Sequence, residues 1–183
     1  TWYLWIALIA LLVCLLSCII HFYRIISLGN PPEYARRSGH IGKAVRYSFT
    51  GAMSPKVKES AYLHMPTYLA GILYHIGTFL AIALFFLLLF RLSLPEWISW
   101  PLIAIFVFSG LSGLGVLIKR MIKQELRALS NPDDYIANIL VTAFQLGSAA
   151  VLYDPSFIPA YFIIVSALML YFPLGKLKHA VYF

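Results

Sequence analysis

The 183-residue chain is 61% hydrophobic and 16% aromatic, only 11% charged, and carries a net charge of +7. A soluble domain of ordinary composition has about 25% charged residues, so this balance excludes one and reads as an all-α integral membrane protein. At about 20 apolar residues per crossing, the length has room for five transmembrane helices in one membrane domain over residues 1–183, with no sizeable soluble domain.

Thr1 is not an initiator methionine and the last residues lie in a hydrophobic segment, so a longer parent chain is expected. The first span runs from Trp2 to about Ile26; its length and flanks are not those of a cleavable signal, which makes it a retained helix. Cys14 and Cys18, one turn apart within it, read as small apolar packing residues. Gly29-Asn30-Pro31-Pro32 stops the helix through missing donors and fixed backbone angles. The connection over 30–60 is long, polar and basic, with Arg36, Arg37, Lys43, Arg46, Lys56 and Lys58 against Glu33 and Glu59. Such a length points to a functional or partner-facing segment.

The second span is expected from Pro66, a favoured first-turn residue, to Phe90. The third, Trp97 to Ile118, carries Ser109, Gly110, Ser112, Gly113 and Gly115, small residues that let another helix or a flat cofactor come close. A second basic connection follows, with Lys119, Arg120, Lys123 and Arg127. The fourth span starts at the N-cap cluster Ser130-Asn131-Pro132-Asp133-Asp134 and ends near Tyr153. The fifth runs from about Pro159 to Leu174 or beyond, trailed by Lys176, Lys178 and His179.

Five crossings place 13 of the 14 Lys and Arg residues, all but Arg91, on one side. By the positive-inside rule that side is cytoplasmic and the N-terminus is outside. Lipid headgroups and an electronegative partner subunit then account for the positive charge without nucleic acid.

The stretch from His64 to Arg91 carries the chemistry. His75 lies at lipid depth, where an unpaired polar ring is costly, and His179 is expected at the cytoplasmic end of the fifth span. Two imidazoles from separate helices are the axial ligands of a six-coordinate b-type haem, which suits electron transfer rather than oxygen chemistry. Gly71 and Thr78 share the His75 face at helical spacing. His64 and His21, toward the same surface, are alternative or second-haem ligands, and His64 is also a candidate donor to a quinone or a haem propionate. Arg46, Lys119 and Arg120 are candidates for propionate pairing, while His40 reads as solvated. Glu59, Asp133 and Asp134 on the inner side, and Glu96 and Asp154 on the outer, are the carboxylates available for quinone-linked proton transfer. No triad, phosphate loop or thiolate cluster appears, so terminal catalysis is expected in other subunits. The alternative is a non-redox anchor or transporter component with structural histidines; five unequal spans without an inverted repeat argue against a transporter core.

Leu73-Tyr74-His75-Ile76-Gly77, after a basic loop, resembles the second helix of the gamma subunit of respiratory nitrate reductase, a five-helix cytochrome b. Phe172-Pro173-Leu174-Gly175-Lys176-Leu177-Lys178-His179 resembles that family's last helix. Lys119-Arg120, followed by Asp133 or Asp134 and by Gln145, is similar to its loop and fourth helix, so the likeness covers 64–183 in order. It implies haem b, a quinone substrate, a cytoplasmic iron–sulfur subunit, and the inner membrane of a prokaryote. In that family a second histidine follows the first by ten residues and another precedes the last by eighteen; here those places hold Phe85 and Tyr161. One haem is therefore expected, and nitrate is not the expected terminal substrate. The chain is more similar to the wider group of membrane subunits of sulfite-reduction-linked and heterodisulfide-reductase-like complexes.

Overall fold

In the structure, a computed structural model, all residues are described except 30, 31, 33, 37, 55, 58–60, 182 and 183, together with the side chains of Met53 and Tyr62. Among the described residues every regular element is helical. Helix α1 spans Trp2–Ser27, α2 Ile41–Phe49, α3 Met65–Leu89, α4 Glu96–Ile122, α5 Gln124–Ala128, α6 Pro132–Tyr153 and α7 Ile158–Tyr171. Four of them, α1, α3, α4 and α6, are long and apolar enough to cross a membrane.

The boundaries follow local chemistry. Helix α3 opens with a proline in its first turn. A reciprocal capping box opens α6: the Asn131 side chain accepts from the Asp134 N–H, and the Asp134 carboxylate accepts from the Asn131 N–H. This satisfies donors that the first helical turn leaves free. Helix α7 is shorter than the expected span. Pro173 has no N–H to continue the ladder, and Gly175 lies so close to the Tyr171 ring and the Asp133 carboxylate that a Cβ there would collide with both. His179 therefore sits not on the fifth helix but on a separate 3-10 segment, Lys176–Val181.

Helices α4 and α6 share the largest interface, α3 lies against both, and α7 joins α6 to α1. The mean hydropathy of α6 is 1.6 against 2.8 for α1, which fits its central place: it faces protein on several sides and can carry polar residues. Of the small residues of α4, Ser109, Gly110 and Gly113 are taken up by helix packing, while Gly115 faces open space. Gly77 of α3 admits Ser109, Gly110 admits Leu146, and Gly113 admits Tyr74 and Thr142. Ala7, Phe85, Phe106, Phe144, Tyr161 and Phe162 form much of the apolar core.

Candidate functional site

Helix geometry turns His75 away from the packed interior. Successive residues advance about 100° around an α-helix. On α3 this puts Gly77 against Ser109 of α4, and Tyr74 and Thr78 against Thr142 and Gln145 of α6. His75 comes next on the same sense of rotation, on the flank beyond α6. The α6 helix also packs on α7, and α7 on α1. His75 is exposed, and its Nδ1 donates to the Gly71 carbonyl at 2.7 Å. The hydroxyl of Thr78, three residues on, is taken up on the α6 side: it donates to the Tyr74 carbonyl and accepts from Gln145 Nε2 at 2.7 Å.

His179 repeats the His75 arrangement on a different element. It is exposed, and its Nδ1 donates to the Lys176 carbonyl at 2.6 Å. A carbonyl oxygen can only accept, so in both rings Nδ1 carries the proton. Neither Nε2 has a partner among the described residues. A metal-ligating imidazole needs that orientation, one ring nitrogen fixed by a hydrogen bond and the other directed outward. The described residues contain no group of three or more His, Cys, Asp or Glu that could hold a bare ion. A porphyrin supplies the equatorial nitrogens itself, so two histidines are the complete protein ligand set, and His75 and His179 fit that requirement chemically.

The segment bearing His179 is held by charge. Asp134, with its side chain only 5% exposed, accepts from Lys176 Nζ at 2.6 Å and lies 3.5 Å from Arg120 Nη1. Arg120 also donates to the Ser130 hydroxyl at 2.9 Å. The Tyr171 hydroxyl donates to the Asp133 carbonyl at 3.3 Å. The start of α6, the end of α4 and the C-terminal segment are thereby tied at one end of the bundle. Lys119 donates to the Thr67 hydroxyl at 2.6 Å and links α4 to the first turn of α3. Lys119 and Arg120, expected as propionate partners, thus join protein elements, and Arg46 stands exposed on α2.

His64 is exposed at the N-cap of α3. His21 is half-buried and continues the stripe of Ala7, Ala10 and Cys14 along α1. The C-terminal segment meets both α1 and α6. Phe85 and Tyr161 are both 1% exposed; Phe85 makes an edge contact with Phe162, and Tyr161 lies 6.0 Å from Phe144. Of the carboxylates, Glu59 lies outside the described residues, Glu96 occupies the first turn of α4, and Asp154 caps the turn Pro155–Phe157. The Asp154 carboxyl is held below the usual range by the Ser156 N–H, with the Ser156 hydroxyl adding to it.

Sequence reasoning missed two features. Asp134 is the buried counter-charge of Lys176 and Arg120, not only a cap residue; the signal was a second acid beside Asp133 at a helix start facing a basic C-terminus. Asn138, Thr142 and Gln145, at helical spacing along α6, form a polar stripe with Tyr74 and Thr78, and that spacing was readable. No family model, curated protein or solved structure matches the chain.

Proposed function

We propose that the chain is a haem b-carrying membrane subunit of a respiratory oxidoreductase complex, passing electrons between the quinone pool and a cytoplasmic iron–sulfur subunit. The observation that carries this reading is the matching state of His75 and His179, each exposed with Nδ1 donating to a backbone carbonyl at 2.7 and 2.6 Å. His75 and His179 would hold the haem iron, which would supply one-electron transfer. The Gly71 and Lys176 carbonyls fix the tautomer of the two rings and keep Nε2 free to ligate. Asp134 fixes Lys176, and so the backbone that orients His179. His21 and His64 are the candidates for a second haem, and His64 for a quinone. The charge asymmetry supports five crossings with the N-terminus outside, and the resemblance in the His75 and His179 segments supports placement in the inner membrane of a prokaryote.

The test is the reduced-minus-oxidised absorption spectrum of the purified protein from haem-replete cells. Low-spin b-type bands are expected, and they should be lost in His75→Ala and in His179→Ala. A colourless, folded preparation overturns the reading. A low-spin spectrum retained in His75→Ala moves the ligand role to His64 or His21.

A further inference from the structure

Helix α2 lies in the basic connection between two helices of membrane-crossing length, and its residues sort cleanly by face. At about 100° per residue, Ile41, Val45 and Phe49 fall on one side with Ala44 and Ser48, while Lys43, Arg46 and Thr50 fall on the other. Apolar residues at every fourth position mark one face of an amphipathic helix.

That apolar face is uncovered. Ile41 is 82%, Val45 52% and Phe49 80% exposed. Among the described residues the main packing of α2 on another element is on the short turn that follows it, Gly51–Met53. The Tyr47 ring lies over Gly51, where an added Cβ would meet it at 2.7 Å. Tyr47 projects from the polar side, so this contact leaves the Ile41, Val45 and Phe49 side open. On the polar side Lys43, Arg46, Tyr47 and Thr50 line an open hollow of about 430 Å³.

We propose that α2 is an interfacial helix lying on the bilayer surface, with Ile41, Val45 and Phe49 in the boundary between headgroups and acyl chains. Its occupant is lipid rather than a second protein, for two reasons. The chain leaves one membrane-length helix at Ser27 and enters the next at Met65, which tethers α2 close to a bilayer surface. The described charges of α2 and its N-cap region are Lys43 and Arg46, with no acid between His40 and Thr50. Cations on the outer face of a helix 10–12 Å across stay within about one Debye length of the lipid surface, so anionic headgroups attract them. A large apolar face opposite a cationic one is the composition of helices that lie on membranes. The proposal needs membrane insertion of the flanking helices and is independent of haem.

The test uses the whole chain in a Cys14→Ala, Cys18→Ala background, reconstituted into mixed phosphatidylcholine and phosphatidylglycerol vesicles. A nitroxide is attached in separate samples at Ile41→Cys, Val45→Cys and Lys43→Cys, and its collisions with oxygen and with a water-soluble nickel complex are compared. Oxygen should dominate at 41 and 45, and nickel at 43. Nickel dominating at all three positions overturns the proposal, as does shielding of 41 and 45 from both reagents, the pattern of a helix docked on protein. With Lys43 left native, Arg46→Glu should shift the Val45→Cys label toward nickel; an unchanged ratio overturns the part assigned to charge.

Discussion

At the scale of single residues, contact distance outweighs hydrogen bonding in this bundle. Gly77 faces the Cβ and hydroxyl of Ser109 without room for a methyl group. Gly77→Ala therefore forces two helix backbones apart, an overpacking that costs about 1–3 kcal/mol. Ser109→Gly in the same chain should restore most of that loss, because the two positions are in contact and their effects do not add. Gln145 is as deeply buried, yet its substitution should matter less. Its Nε2 donates to the Tyr74 carbonyl at 2.8 Å and to Thr78 at 2.7 Å, while its Oε1 has no partner among the described residues. Interhelical side-chain hydrogen bonds in membranes average about 0.6 kcal/mol, and an unmet buried acceptor costs about 1–3 kcal/mol, so the terms nearly cancel. Thermal unfolding in detergent should show a clear fall for Gly77→Ala and a near-neutral Gln145→Leu. The close approach was legible in the small residues of α4. That Gly110 and Gly113 are taken up by helix packing was not, because Leu146, Tyr74 and Thr142 reach them from distant sequence.

At the scale of elements, legibility followed the strength of the local stop signal. Helices α1, α3 and α6 begin and end within a residue or two of the expected places because Pro66, Asn131 and the Gly29 region punctuate them. Helix α4 runs four residues past Ile118, since Lys119 and Arg120 continue a helix readily and find Thr67, Ser130 and Asp134 at its end. Helix α2 was hidden in what read as a polar loop; its apolar stripe is only three residues long. The end of α3 shows a local conflict. The Leu92 N–H donates to the Leu87 carbonyl at 2.8 Å and the Arg91 N–H to the Leu88 carbonyl at 3.1 Å, a Schellman closure that demands a left-handed residue. Arg91 fills it at φ 57°. A side chain there costs about 1–2 kcal/mol, part of which glycine would return as unfolded-chain entropy. Arg91→Gly should thus stabilise the chain by about 0.5–1 kcal/mol, read as a raised unfolding midpoint.

At the scale of the molecule, the number of crossings turns on α7. Its 14 residues reach about 21 Å at 1.5 Å per residue, short of a hydrocarbon core of about 30 Å. The flanking contacts extend that reach. The chain turns at Asp154 directly after α6, yet Tyr171 and Lys176 bond Asp133 and Asp134 at the start of α6. Residues 154–176 therefore run antiparallel along the whole of a 22-residue helix, with the turns on either side of α7 supplying the missing length. If α6 crosses, the segment beside it crosses as well. The proposed topology then puts position 178 on the same side as the loop after α1, and position 93 opposite. With native cysteines removed, an impermeant thiol reagent applied to intact cells should label Ser93→Cys and leave Ser38→Cys and Lys178→Cys unreacted until the membrane is opened. Labelling of Lys178→Cys together with Ser93→Cys from outside would reduce the count to four crossings and detach His179 from the side on which the positive charge gathers.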